Sequence, residues 1–138
     1  MALYQTTANS VNGRNGAVTV ENSKLSFELA SPIAMGGKSD DAVNPEQLFA
    51  AGYAACFGGA LHHVIRARKL RVPLPEVSLT VGIDNVDGGY VLSADITGRF
   101  KELDQATADD IMQEAHTVCP YSKATMGNIP VTLKAILL

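Results

Sequence analysis

The chain has 138 residues and a formal net charge of −3, with 46% hydrophobic and 18% charged residues. This length suits one domain with a modest core, so we predict a single domain over residues 1–138. A net negative charge argues against a nucleic-acid-binding surface, which requires clustered lysine and arginine. The amino terminus turns polar at once, and no uninterrupted apolar run reaches the roughly 18 residues of a membrane span. We expect a cytoplasmic protein that binds neither nucleic acid nor membrane.

The first third of the chain reads as short strands joined by turns. Glycines at Gly13 and Gly16 can take positive φ and mark an early turn. Apolar and polar residues then alternate on both sides of a polar turn over residues 21–24, which is typical of strands. A loop rich in serine, glycine and aspartate is predicted over residues 31–43.

A long helix is predicted from Asn44 to about Leu70. Asn44 is typical of a helix N-cap and Pro45 of the first helical position, and further prolines soon after Leu70 prevent continuation. Residues 48–61 include no charged side chain, and a helix that is apolar all round is expected to be buried all round. Because so short a chain has difficulty surrounding such a helix, we expect a homodimer in which two of these helices pack together.

Glycines inside this helix support the same interpretation. Each costs roughly 0.5–1 kcal/mol relative to alanine in a helix interior. Close approach of another backbone would offset that cost. The glycines concerned are Gly52, Gly58 and Gly59.

The second half of the chain combines a hairpin, a helix and a final strand. Strict alternation over residues 77–83 and 90–96, with Asp87-Gly88 between them, predicts an antiparallel hairpin. A second helix is predicted over about 104–118 and a last strand over 131–137. Since strands cluster before and after the long helix instead of alternating with helices, we predict an α+β fold with antiparallel sheet.

Two cysteines are the first candidates for chemistry. Cys56 lies in the middle of the long helix, and Cys119 precedes Pro120 at the start of a predicted short helix over 120–125. In a reducing compartment they are unsuited to a structural disulfide, so they are inert core residues or reactive thiols. A helix N-terminus lowers a thiol pKa, which would favour reactivity at Cys119. Apolar burial raises it, so a reactive Cys56 needs a nearby fixed cation.

Arg14 is the candidate for that cation, and Glu46 is the candidate for the residue that holds it. Arg14 lies between glycines in a turn, either as a solvated hairpin residue or as the cation. Glu46, in the first helical turn, either stabilises the helix dipole or holds Arg14 in a bidentate pair. Ten residues, about 15 Å of helix axis, separate Glu46 from Cys56, so these side chains of one chain cannot share a small site. If both are catalytic, the helices pack antiparallel in a dimer and bring Glu46 of one chain near Cys56 of the other.

Metal-binding and phosphate-binding motifs are absent from the sequence. His63 is about 10 Å of helix axis from Cys56, too far for both to bind one ion. There is no Cys-x-x-Cys, His-Glu-x-x-His or acidic cluster with metal-ligand spacing, and no Walker motif. We therefore predict no metal site.

Five segments of the sequence carry a specific combined pattern. They are Val11–Gly16, Gly36–Gly37, Asn44–Phe57 (Asn-Pro-Glu-Gln-Leu through the first cysteine), Val118–Ser122 and Gly127–Asn128. In order and spacing they resemble the organic hydroperoxide resistance (Ohr) proteins, a branch of the Ohr/OsmC family. The Cys-Pro-Tyr-Ser element favours the Ohr branch over the OsmC branch.

This resemblance implies a fold, an activity and a set of site residues. The implied fold is OsmC-like α+β, with antiparallel sheets flanking long buried central helices in an intertwined homodimer. The implied activity is thiol-dependent reduction of organic hydroperoxides, including fatty-acid hydroperoxides, without a bound cofactor. Dihydrolipoamide or lipoylated enzyme subunits would serve as the reductant. By this analogy Cys56 is the peroxidatic cysteine, Cys119 resolves it, and Arg14 and Glu46 form the activating pair.

Apolar side chains near these positions could bind an alkyl chain, although each could equally belong to the core. The candidates are Phe49, Tyr53, Phe57, Met126 and Ile129.

Three other functions remain open from the sequence. An OsmC-like peroxidase with broader peroxide use would differ in its relative rates with cumene hydroperoxide and hydrogen peroxide. A non-cycling cysteine redox sensor would react once, whereas a peroxidase cycles with dithiol; no DNA-binding helix-turn-helix supports a regulator. A non-catalytic structural dimer would have thiols that resist peroxide.

Overall fold

The computed structural model describes residues 1–138, which fall into two compact units, Met1–Leu48 and Phe49–Leu138. Three helices and six strands follow one another along the chain. They are β1 (Ala8–Val11), β2 (Ala17–Val20), β3 (Ser26–Glu28), α1 (Pro45–Ala67), β4 (Glu76–Val86), β5 (Gly89–Phe100), α2 (Gln105–Val118), α3 (Pro120–Thr125) and β6 (Val131–Leu137). Short 3-10 turns cover Gly13–Asn15 and Ile33–Met35. The predicted α+β class is confirmed.

The first unit is built on an antiparallel three-stranded sheet in the order β1-β2-β3. The predicted turn at Gly13 connects β1 to β2, with positive φ at Asn12 and Gly13. The predicted strands on either side of residues 21–24 are confirmed as β2 and β3. Strand β1 is not predicted by the sequence because all of its residues are exposed, and a strand without a buried face shows no hydrophobic alternation.

Helix α1 begins where the sequence predicts. The Asn44 side-chain oxygen accepts from the Gln47 backbone N–H at 2.8 Å, and the Gln47 side chain accepts from the Asn44 N–H at 3.1 Å. This reciprocal pair satisfies two backbone donors that the first helical turn leaves without partners. The helix ends at Ala67, slightly before the predicted end, and Lys69 follows with a left-handed φ of 57°.

Within one chain α1 is buried on one side only, and the predicted burial all round, which requires the second helix of a homodimer, stays a prediction. One face is buried by large apolar side chains, of which Tyr53, Phe57 and Leu61 have no exposed surface. The opposite face is exposed at every fourth position. These positions are Ala51, Ala55, Gly59 and His63, and we call the first three the small-residue stripe.

Helix α1 is also long and apolar enough to span a membrane by length and composition alone. The core helix of a soluble protein has the same properties. Because Tyr53, Phe57 and Leu61 belong to the hydrophobic core, we describe α1 as a core helix.

Gly52 has a close neighbour within its own chain. A Cβ atom at this position would lie 3.0 Å from the Tyr121 hydroxyl and 3.3 Å from Cε2 of the same ring. Gly58 would meet only Val77, and Gly59 faces open space. Within its own chain, Gly52 therefore makes room for a tyrosine ring, and close approach of a second helix backbone stays a prediction.

The second unit contains the sheet β4-β5-β6 with α2 packed on β6. Strands β4 and β5 form the predicted antiparallel hairpin, with left-handed φ at Asp87 (50°) and Gly88 (84°), as the turn requires. Strand β6 pairs with β5 in parallel, so the antiparallel prediction is wrong for this pair. Helices α2 and α3 lie between β5 and β6 in the chain and form the crossover that parallel pairing needs.

Helix α2 begins at the predicted residue and buries the predicted face. The Asp104 carboxylate accepts from the Thr107 backbone N–H at 2.8 Å, which caps the helix. Ile111, Met112 and Ala115 are buried as predicted. They pack in one core cluster with apolar residues of α1 and β5, including Leu61, Ile65, Ile96 and Phe100.

Candidate active site

The two cysteine side chains meet inside the second unit. Cys56 is half-buried on α1, and Cys119 is buried at the N-cap position of α3. Both are free thiols, and their Sγ atoms are 2.9 Å apart. A disulfide bond is about 2.05 Å long, so the sulfurs need to approach by about 0.9 Å to bond. The structure thus brings together two thiols that are 63 residues apart in the chain.

The surroundings of Cys56 favour its neutral form. Burial raises the pKa of the Cys56 thiol, and the hydrogen bond with Cys119 raises it further. The backbone N–H of Tyr121, in the first turn of α3, acts in the opposite direction and lowers this pKa. The net shift is upward, so the thiolate at neutral pH is a small fraction of Cys56. A fixed positive charge is the ordinary means of reversing such a shift.

Three hydroxyl groups that the sequence analysis did not assign to the site join α1 to α3 beside the sulfurs. The Tyr53 hydroxyl lies 2.8 Å from Ser122 Oγ and 3.1 Å from Thr125 Oγ1. The Cys-Pro-Tyr-Ser motif contains Ser122, but a serine or threonine in a sequence carries no sign of its tertiary partner. Tyr53 was considered for its apolar ring, whereas its hydroxyl is the part with specific partners.

An aromatic cluster covers the same region. The Tyr121 ring centroid lies 5.7 Å from that of Tyr53 and 6.4 Å from that of Phe49. Phe49 and Tyr53 pack edge to face at 5.8 Å. Tyr121 is 41% exposed, so the cluster has one side open to solvent.

Arg14 and Glu46 form a bidentate ion pair in the first unit. Arg14 Nη1 donates to one Glu46 carboxylate oxygen at 2.9 Å and Nη2 to the other at 2.6 Å. The Glu46 side chain is 13% exposed and that of Arg14 39%. The bidentate geometry expected from the sequence is confirmed. The Arg14 guanidinium lowers the pKa of the Glu46 carboxyl below its usual value of 4.5, against the opposing effect of burial.

Glu46→Gln is expected to weaken the dependence of stability on acid pH. Because its folded pKa is depressed, Glu46 stabilises the fold above its unfolded pKa, and this contribution is lost as pH falls through the folded value, below 4.5. Urea unfolding between about pH 3 and 7 should show a shallower acid decline in the variant. Glu114→Gln, which removes a carboxylate from the more exposed Arg68 pair, is the matched control. Parallel curves for wild type and Glu46→Gln would contradict the expectation.

The five predicted substrate-binding residues differ in accessibility. Tyr53 and Phe57 have no exposed surface and pack in the core. Phe49 and Ile129 are partly buried, and Met126 is 49% exposed. A substrate role for all five residues stays a prediction.

The structure brings no three histidine, cysteine, aspartate or glutamate side chains close enough together to hold a metal ion. His116 is the one side chain with a buried polar atom, Nδ1, that has no hydrogen-bond partner. Burial lowers the pKa of this imidazole.

Comparison with known proteins gives a consistent result over nearly the whole chain. Residues 37–134 match the family model of OsmC-like proteins. The chain is 42% identical to the organic hydroperoxide resistance protein-like 2 of Staphylococcus epidermidis, across 96% of this chain and 94% of that protein. It is 43% identical to the organic hydroperoxide resistance protein of Xanthomonas axonopodis pv. citri, across 95% and 93%. The crystal structure of an organic hydroperoxide resistance protein from Elizabethkingia anophelis superposes with a TM-score of 0.94 at 41% identity, covering 99% of both chains.

Proposed function

Because this chain belongs to the organic hydroperoxide resistance (Ohr) branch of the OsmC-like protein family, we propose that it is a cysteine peroxidase that reduces organic hydroperoxides to alcohols. The observation that carries the proposal is the contact between Cys56 and Cys119, whose sulfurs are 2.9 Å apart and free. Paired thiols at this distance can exchange between a dithiol and a disulfide without a bound cofactor.

The proposed reaction has three steps. The Cys56 thiolate attacks the distal peroxide oxygen of ROOH, the O–O bond breaks, and ROH leaves after taking up a proton. The resulting Cys56 sulfenic acid condenses with the Cys119 thiol, which forms the disulfide and releases water. An external dithiol then exchanges with the disulfide, restores both thiols and is itself oxidised to a disulfide.

We assign Arg14 the role of the fixed cation for Cys56 of the partner subunit in the proposed homodimer, with Glu46 as the residue that holds it in position. A cation favours the Cys56 thiolate and the charge that develops on the leaving oxygen. The bidentate Glu46 pair supports this assignment because it restricts the guanidinium to one orientation.

Arg14→Ala is expected to slow oxidation of Cys56 by about 100-fold, the size of effect that loss of one charge-stabilising group produces. The measurement is the second-order rate constant for single-turnover oxidation by tert-butyl hydroperoxide, together with the melting temperature. Arg68→Ala, which also removes a carboxylate-paired arginine, is the control and should react at the wild-type rate. If Arg14→Ala loses stability in proportion to its rate, the residue has a structural role.

We further propose a homodimer, dihydrolipoamide or a lipoylated enzyme subunit as reductant, and a cytoplasmic location. The small-residue stripe supports the dimer, because small side chains allow two helices to approach closely. The antiparallel arrangement of those helices stays a prediction. The reductant and location rest on family membership, since the reaction requires an external dithiol and a reducing compartment keeps Cys56 and Cys119 free.

The test is steady-state consumption of tert-butyl hydroperoxide with dihydrolipoamide as reductant. Sustained turnover supports the peroxidase, and faster turnover of cumene hydroperoxide than of hydrogen peroxide favours organic substrates over broader peroxide use. Consumption of one equivalent followed by arrest would indicate a redox sensor. No consumption by the folded, reduced protein would overturn the proposal.

A further inference from the structure

The hydroxyl network between α1 and α3 is buried and complete. Tyr53 and Ser122 have no exposed surface, and Thr125 is 6% exposed. The Thr125 hydroxyl donates to the Ser122 carbonyl oxygen at 3.2 Å. Either atom can be the donor in the two Tyr53 contacts; with the Thr125 proton on the Ser122 carbonyl, Tyr53 donates to Thr125 Oγ1 and Ser122 donates to the Tyr53 oxygen. Each of the three protons has an acceptor inside the network.

The network joins the same two segments that carry the sulfurs. Tyr53 precedes Cys56 by three residues on α1, and Ser122 follows Cys119 by three residues in α3. The hydroxyl contact therefore lies about 4.5 Å, less than one helical turn, from the sulfur contact along each helix. Tyr121, next to Ser122, also donates its backbone N–H to Cys56. Three successive attachments fix this part of α3 on α1.

Loss of one hydroxyl would disturb this attachment more than a surface change would. Removal of the Ser122 hydroxyl leaves the buried Tyr53 hydroxyl with Thr125 as its remaining partner, and loss of a buried hydrogen bond is unfavourable. Conformations in which α3 moves away from α1, so that its polar groups reach water, then become more populated. In those conformations Cys119 is displaced from Cys56.

We propose that Ser122, through its hydrogen bond to Tyr53, is a positioning residue. It holds Cys119 against Cys56, so that Cys56 sulfenic acid forms the disulfide before it is oxidised further. The inference rests on the proposed peroxidase function. Cys56 sulfenic acid has two fates: it condenses with Cys119 and releases water, or a second ROOH oxidises it to sulfinic acid and leaves as ROH. Condensation occurs within one molecule, and its rate increases with the fraction of time that Cys119 lies against Cys56. Over-oxidation instead increases with hydroperoxide concentration.

The experiment measures how oxidised protein divides between the two fates. Reduced wild type and Ser122→Ala are treated with increasing tert-butyl hydroperoxide, and intact mass gives the disulfide and sulfinic acid fractions. We expect Ser122→Ala to reach half sulfinic acid at about fivefold lower hydroperoxide, the effect of losing one buried hydrogen bond. The rate of first oxidation is measured on the same samples, which separates a change in Cys56 reactivity from a change in the ratio of disulfide to sulfinic acid. Tyr53→Phe should act in the same direction, and the double variant should show less than the product of the single effects.

A general loss of stability has a separate control. Asp104→Ala removes the α2 N-cap far along the chain from Ser122 and should lower the melting temperature without changing the division between products. The inference is overturned if Ser122→Ala and Tyr53→Phe give the wild-type ratio of disulfide to sulfinic acid. It is also overturned if Asp104→Ala changes that ratio by the same amount. If wild type forms neither product, the proposed function itself fails, and the two failures are therefore distinguishable.

Discussion

Cys56→Ser is expected to reduce hydroperoxide turnover by about 1,000-fold or more, to the background rate. A serine hydroxyl is hardly ionised at neutral pH and is a far weaker nucleophile than a thiolate. The substitution changes one atom of a half-buried side chain and retains its shape. The loss should therefore appear in the chemical step without a comparable loss of stability.

The measurement is consumption of tert-butyl hydroperoxide with dihydrolipoamide, with wild type assayed in parallel and melting temperatures recorded for both. Cys119 remains in the variant as an internal comparison, because it is the second thiol of the pair. Substantial turnover by folded Cys56→Ser would transfer the nucleophile to Cys119 and reverse the assigned roles.

Cys119→Ser is expected to keep the first oxidation and to lose sustained turnover. Without the second thiol, Cys56 sulfenic acid cannot form the internal disulfide, and excess hydroperoxide converts it to sulfinic acid. Cys119 has no exposed surface, whereas Cys56 is partly exposed, so hydroperoxide has direct access to only one of the two sulfurs. Turnover should stop after a few cycles as the sulfinic form accumulates.

Intact mass after stoichiometric and excess hydroperoxide tests this result. The variant should gain one oxygen and then two, while wild type loses two hydrogens on disulfide formation. A Cys119→Ser protein that cycles with dihydrolipoamide at the wild-type rate would exclude a resolving role for Cys119.

Local signals in the sequence predict the helices and the long hairpin. Asn44 and Pro45 at the start of α1, and Asp87-Gly88 between β4 and β5, act through hydrogen bonds and backbone angles of adjacent residues. Such features need no knowledge of the rest of the chain. The bidentate Arg14–Glu46 pair was expected as one of two alternatives, and the structure selects it.

Features that depend on tertiary contacts could not be predicted. The parallel register of β6 depends on the direction from which α2 and α3 return the chain. The hydroxyl partners of Tyr53 are 69 and 72 residues away, and nothing local marks Ser122 or Thr125 as those partners. Composition also does not show which face of α1 its own chain covers, because alanine and glycine count as apolar whether they lie in a core or on an open helix face.

The separation of the two cysteines in the chain has a consequence for folding. A bond between Cys56 and Cys119 closes a covalent loop across 63 residues, nearly half of the 138-residue polypeptide. A crosslink of that span removes conformational entropy from the unfolded ensemble worth about 4 kcal/mol at 25 °C. The oxidised intermediate would then be the more heat-resistant form, and each reduction by dithiol would return the chain to the form that unfolds more readily.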